Sequence, residues 1–148
     1  MFTSRKFKTA TTPTLAPVPL HSAHVQAVDN VHLEAPPQCA DDLRWFYADL
    51  VGLECVEEAL AGAGSILRFR SERIELHLRL TPEPQLEPVA CRAVLLVPSL
   101  AAAAERLSER KIAFVRINGI QYTDRRLSLL DPGGNRIELK QAWLYGML

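Results

Sequence analysis

A chain of 148 residues with 48% hydrophobic and 23% charged side chains has the composition of one ordinary globular domain. Lys and Arg number 17 and so do Asp and Glu, which leaves no basic excess to displace counterions from a nucleic acid or to hold an anionic membrane surface. No apolar run approaches the ~20 residues of a membrane-spanning helix, and three cysteines without a C-x-x-C pair point to neither a disulfide framework nor a zinc knuckle, so a reducing, cytoplasmic setting is expected.

Residues 1–27 carry Arg5, Lys6 and Lys8, several threonines and three prolines without an apolar period, and read as an extended tail. Val28–Ala35 then alternates, with Val31, Leu33 and Ala35 on one side and Asn30, His32 and Glu34 on the other, the pattern of a half-buried strand. Pro36 and Pro37 end it. Asp41 and Asp42 supply first-turn acids for a helix whose Leu43, Phe46, Tyr47 and Leu50 share one stripe, and Gly52 stops that helix. A short strand near Leu53–Val56, a loop with Gly62 and Gly64, and strands Ser65–Arg70 and Arg73–Leu80 follow.

After the proline-spaced link Thr81–Pro88 the same order returns. Cys91–Val97 alternates as a strand, Ser99 caps a helix with Leu100, Ala103, Ala104 and Leu107 on one stripe, and Ile112–Ile117 and Arg126–Leu130 read as strands. Asp131–Asn135 is a turn by composition, and Arg136–Gln141 is the last strand. Residues 142–148 form an apolar end that needs something to pack on. The tetrapeptide Arg73–Leu76 (RIEL) recurs as Arg136–Leu139 at the same place in each half, which marks a duplication. The expected fold is α+β: two βαβββ modules, 28–80 and 91–141, in one domain spanning 28–141.

Three stretches carry a family likeness. The first runs from Asp29–Leu33 (DNVHL) through Pro36 and Pro37 to Trp45–Leu53 (WFYADLVGL); the second is the strand–turn–strand Ile66–Leu80; the third is Leu127–Leu130 followed by Asp131–Leu139 (DPGGNRIEL). In these the chain resembles the vicinal oxygen chelate superfamily, the group of glyoxalase I, bleomycin-resistance proteins and extradiol dioxygenases. The resemblance implies two modules whose sheets curl into a mixed-sheet cup with helices outside, and commonly a homodimer. It also implies metal ligands on the first and last strands of each module, usually His on the first and Glu on the last. Function does not follow from the fold, because the superfamily hosts unrelated chemistries.

Transferred by position, those ligand sites fall on Asn30, Glu75, Arg92 and Glu138: both glutamates are present and both histidines are replaced. A guanidinium keeps its proton and offers no lone pair, so Arg92 cannot be a ligand, and it is expected to form charge-assisted pairs with Glu75 and Glu138. Counting back from Tyr47 instead selects His32, unless Pro36 and Pro37 add a corner, and the Asn30 register is preferred for that reason. In the other register His32, His77 and Glu138 make two imidazoles and a carboxylate, suited to Zn, Ni, Fe or Mn.

Glu138, then Glu75, are the expected proton-handling groups if the chain is a glyoxalase I-like lyase or an extradiol-type dioxygenase. Arg92, Asn30, Arg68, Arg79 and Tyr122 are the expected contacts to a small-molecule ligand, with Arg70 and Arg126 adding to a basic lining. Three readings compete: a small-molecule-binding protein with a degraded metal site, a metal-dependent lyase or dioxygenase, and a non-catalytic interaction module.

Overall fold

The structure, a computed structural model, describes residues 29–59, 64–86, 89–121 and 124–142. The tail 1–27, Tyr122, and the apolar end beyond Ala142, Trp143 included, lie outside the described residues. The first module runs β1 (Asp29–Ala35), a 3-10 turn (Pro37–Cys39), α1 (Ala40–Arg44) continuing as a π-helical stretch (Trp45–Leu50), β2 (Glu54–Ala59), β3 (Ser65–Arg70) and β4 (Ile74–Leu80). The second runs β5 (Ala93–Val97), α2 (Leu100–Glu109), β6 (Phe114–Ile117), β7 (Arg126–Leu130) and β8 (Arg136–Gln141). The sequence order is thus repeated as expected, in two four-stranded sheets with matching strand orders, β1-β4-β3-β2 and β5-β8-β7-β6.

In each sheet the first and last strands of the module pair in parallel and the other pairs are antiparallel. The period of two sorts the side chains. Leu33, Leu67, Phe69, Leu76 and Leu78 of the first sheet are buried, and so are Ala93, Leu95, Leu127, Leu129, Ile137 and Leu139 of the second. Leu43, Phe46, Tyr47 and Leu50 cover the first set, and Ala103, Ala104 and Leu107 lie buried on α2, which packs on β7 and β8. Each large apolar side chain removed from water in this way contributes roughly 1.5–3 kcal/mol.

Local chemistry fixes the element ends. Pro36 stands at φ −65°, ψ 145°, and Pro37 opens the 3-10 turn where its missing N–H does no harm. The first helix widens at its C-terminal end: Val51 N donates to Phe46 O five residues back, and Leu53 N donates to Tyr47 O across Gly52. Gly52 takes φ +91°, the left-handed conformation of a helix C-terminus that glycine adopts without strain. Ser99 caps α2 by accepting from Ala102 N at 3.2 Å.

β1 and β5 are edge strands of separate sheets and are not hydrogen-bonded to each other, and residues of both line one opening. Side chains of the second module bridge the gap to carbonyls of β1. Arg92 Nη2 donates to His32 O at 3.3 Å, and Asn135 Nδ2 donates to Glu34 O at 3.0 Å. Arg106 donates to Asp49 O at 2.8 Å, and Arg110 lies over the Trp45 ring at 3.9 Å.

Candidate functional site

The polar faces of the two sheets are ordered in cross-strand rows. On the first sheet Asn30, Glu75 and Arg70 form one row, His32, His77 and Arg68 the next, and Glu34, Arg79 and Ile66 the third. On the second, Val94, Glu138, Ser128 and Val115 form one row, and Leu96, Lys140 and Arg126 the next. Aligning the two Arg-Ile-Glu-Leu segments makes Glu75 equivalent to Glu138 and, one row on, Arg68 equivalent to Arg126.

Those equivalent residues make equivalent ion pairs. Arg68 Nη2 donates to Glu75 Oε1 at 2.8 Å, and Arg126 Nη1 donates to Glu138 Oε2 at 3.0 Å, each from the third strand diagonally onto the last. Both pairs are partly buried. The Arg68 hydrogen bond holds the Glu75 carboxyl below its ordinary value, against the opposing effect of desolvation. His77 Nε2 lies 2.9 Å from the same Glu75 oxygen. Two further arginines are paired as well, Arg70 with Glu54 at 3.1 Å and Arg79 with Glu34. The basic lining expected from sequence is therefore a set of salt bridges across the strands. Among the described residues, Arg126 Nε is the buried side-chain polar atom without a hydrogen-bond partner.

A cavity of about 410 Å³ opens beside β1 and β4, lined by His32, Glu34, Ile66, His77, Arg79 and Arg92 together with Leu33, Gln85 and Asn135. His32 and His77 are direct partners on the parallel strands, and their ring centroids stand 5.0 Å apart. Glu34 is held from two sides, with Arg79 on Oε1 and the Gln85 backbone N–H on Oε2 at 2.8 Å. The Gln85 hydrogen bond is the larger reason that its carboxyl titrates below the ordinary value. Arg92 also borders a second opening, of about 420 Å³, with Asn30, Cys91 and Val94. Burial raises the Cys91 thiol above its ordinary value, which does not favour the thiolate a nucleophile needs.

The structure thus gathers His32, His77, Arg79 and Arg92 around one cavity. Asn30 lies one row away beside Glu75, while Glu138 stands on the other sheet and is not among the residues lining that cavity. Arg68 and Arg126 hold the two glutamates that Arg92 was expected to hold, and Arg92 donates to the His32 carbonyl. Strand register supplies a further difference. The β5 partner of Glu138 is Val94, not Arg92, so an alkyl side chain stands where Asn30 stands beside Glu75.

These donors do not fit the family's divalent metal. Both carboxylates are already neutralised by guanidinium groups, an isopropyl group and an amide flank them, and Arg92 has no lone pair to give. Among the described residues no group of three or more His, Cys, Asp or Glu is gathered as metal ligands would be.

Sequence reasoning missed one polar cluster. Tyr47, fully buried, donates to Asp131 Oδ2 at 2.6 Å, and Asp131 Oδ1 accepts from Gly133 N at 2.9 Å and Asn135 N at 2.8 Å. Asn135 then reaches the Glu34 carbonyl on the cavity rim, so one network joins the first helix, the β7–β8 turn and β1. Burial raises the carboxyl of Asp131 and pushes the phenol of Tyr47 well up, so Tyr47 remains the donor. The signal was a phenol on an otherwise apolar helix stripe, since a buried hydroxyl needs a partner.

Residues 31–139 match the model of the Glyoxalase/Bleomycin resistance protein/Dioxygenase superfamily. Among solved structures, the genomically encoded fosfomycin resistance protein FosX from Listeria monocytogenes superposes with a TM-score of 0.62 at 12% identity, over 84% of this chain and 99% of that one. Lactoylglutathione lyase from Agrobacterium tumefaciens gives 0.56 at 22% identity, over 81% and 96%. TnmS3, an antibiotic binding protein from Streptomyces sp. CB03234, gives 0.54 at 22% identity, over 81% and 98%. At these identities the likeness is one of fold. No curated protein matches the chain.

Proposed function

The chain belongs to the Glyoxalase/Bleomycin resistance protein/Dioxygenase superfamily, and from that premise we propose that it binds a small molecule in its polar cup by hydrogen bonds and charge, without the divalent metal of its relatives. The observation that carries this reading is the repeated ion pair. In both modules the glutamate at the family's ligand position is held by an arginine from the equivalent place on the third strand. A metal ion would have to displace two guanidinium groups and accept Val94 and Asn30 as neighbours. Glu75, Arg68, Arg79, Arg92 and Asn30 then serve as binding and positioning groups. TnmS3 is a fold relative described as an antibiotic binding protein, which supports a cup that holds without converting.

A second reading rests on the adjacent imidazoles of His32 and His77. With Glu138 they would form the metal set of a lyase or dioxygenase, but Glu138 does not line the cavity that the two histidines share and is held by Arg126. Elemental analysis of protein purified from unsupplemented medium, with a thermal-shift screen of small molecules, tests the choice. Sub-stoichiometric metal with a ligand-dependent rise in Tm is the expected result; one firmly held metal per chain overturns it.

The proposal includes a homodimer. Val94, Leu96 and Val115 are 49%, 40% and 61% exposed on the Glu138 face of the second sheet, and a second copy would cover them. Light scattering after size exclusion reads the mass. Cys39 and Cys91 carry free thiols, in keeping with the cytoplasmic location proposed here. Among the described residues no helix is long and apolar enough to cross a membrane.

A further inference from the structure

We propose that residues 81–86 form a strap across one end of the cavity beside β1 and β4, and that the Glu34 carboxylate is the clasp that holds it down. This rests on the small-molecule-binding reading above and adds how that site is entered. The strap begins where β4 ends. Thr81 N donates to Ala35 O at 2.9 Å, which fastens its first residue to the end of β1. Pro82 and Pro84 follow, each with φ fixed by its ring and no N–H to give, so this stretch moves as a stiff piece rather than as a loose coil. Gln85 N then donates to Glu34 Oε2 at 2.8 Å, and Gln85 lines the cavity. Leu86 lies against the turn of the second module, where a Cβ on Gly134 would stand 3.0 Å from Leu86 Cδ1. Residues 81–86 thus pass from β4 over the end of β1 to the β7–β8 turn, bridging the two modules at the cavity rim.

Glu34 is the point where these parts meet. Its backbone carbonyl accepts from Asn135 Nδ2 at 3.0 Å, one carboxylate oxygen accepts from Arg79 on β4, and the other accepts from the strap. The residue is thereby fixed from the second module and from the neighbouring strand, and offers the strap a rigid acceptor. The hydrogen bond from Gln85 is also the larger reason that this carboxyl titrates low, so the ionised form is the one that grips. The strap buries little surface of its own. Pro82, Glu83, Gln85 and Leu86 are exposed, whereas Leu33, Leu78 and Leu80 in the strands beside it are buried. A segment with little buried surface opens at a lower free energy than the sheet it lies on.

Amide hydrogen exchange of the full chain, read by NMR over a urea series below the unfolding transition, tests the strap. The wild-type Gln85 amide is expected to be protected yet to exchange at a rate independent of urea, the mark of a local opening. The Leu78 amide, in the middle of the first sheet, is expected to exchange at a rate that rises with urea. Glu34→Ala is expected to speed exchange at Gln85 about two- to tenfold, the scale of one net hydrogen bond. Arg79→Gln leaves the Gln85 contact in place and is expected to speed it less. Should Glu34→Ala fail to fold, the wild-type urea series still decides. Entry is read with diethyl pyrocarbonate, which labels the imidazoles of His32 and His77 on the cavity wall. Both are expected to react faster in Leu86→Ala, which loosens the far end of the strap at a side chain that is not among those lining the cavity.

Gln85 exchange that follows Leu78 through the urea series, or a Gln85 amide with no protection at all, overturns the strap while a ligand found in the thermal-shift screen leaves small-molecule binding standing. Gln85 exchange that Glu34→Ala does not change overturns the clasp. Histidine labelling that Leu86→Ala does not change overturns the control of entry. A strap that opens as described beside an empty screen removes the binding reading and keeps the strap.

Discussion

Replacing Tyr47 by Phe removes one oxygen atom from the centre of the molecule. The phenol is fully buried and donates to Asp131 Oδ2 at 2.6 Å, and Asp131 itself is only 4% exposed, so water has little room to replace the lost donor. After the change Oδ2 keeps only the long contact from Asn135 Nδ2 at 3.3 Å, while Oδ1 keeps the Gly133 and Asn135 backbone N–H groups. Loss of a hydrogen bond to a buried charged acceptor amounts to about 1.5–3 kcal/mol. For a chain of this length each kcal/mol corresponds to roughly 3–4 °C in Tm, so a fall of about 5–10 °C is expected. The assay is a calorimetric melt at neutral pH of the wild type, Tyr47→Phe, Asp131→Asn and the double variant. The double variant should lose less than the sum of the single losses, because both changes break the same bond. A Tm change below about 1 °C for Tyr47→Phe, or strictly additive losses, would refute the role assigned to this network.

Gly133→Ala should destabilise the chain by about 1–3 kcal/mol, since a Cβ there would stand 2.6 Å from the Ala35 Cβ at the junction of the modules; a urea midpoint reads it. Leu78→Ala, at a fully buried position of the first sheet, should lose about 2–5 kcal/mol in the same assay. Glu34, Glu54 and Glu75 have lowered carboxyl pKa values, so the stability they give is present above 4.5 and lost as pH falls below it. Asp131 is raised, so its contribution is full below 3.8 and is lost as pH rises through its higher native value. Wild-type stability should therefore fall on acidification, and Asp131→Asn, which lacks the opposing contribution, should fall more steeply between neutrality and about pH 3.5. The pair Asn30→His with Arg68→Ala places an imidazole beside a Glu75 released from its guanidinium partner and should raise Zn²⁺ affinity measurably in a calorimetric titration, whereas Asn30→His alone should raise it less.

The two modules were legible in sequence because alternation and the repeated Arg-Ile-Glu-Leu depend only on neighbours along the chain. Which side chains of β1, β4, β5 and β8 face the core followed from the same period of two. The π-helical stretch was not legible, because the stripe of Leu43, Phe46, Tyr47 and Leu50 is equally regular on an α-helix and the widening shows only in the hydrogen bond from Val51 to Phe46. The site was half legible. Glu75, Glu138, Arg68 and Arg126 were each visible as candidates, but their pairing is diagonal across antiparallel strands and depends on a register that spacing alone does not set. The same register places Val94, not Arg92, beside Glu138. The bond between Tyr47 and Asp131 joins residues 84 apart in sequence, so only the rule that a buried hydroxyl needs a partner hinted at it.

Calorimetric titration of the chelator-treated chain with Zn²⁺ tests the central claim most directly. The paired glutamates predict weak, non-stoichiometric heats for the wild type, unchanged in His32→Ala and His77→Ala. Tight binding of one ion per chain, abolished by either histidine variant, would contradict the account and place a metal in the cup.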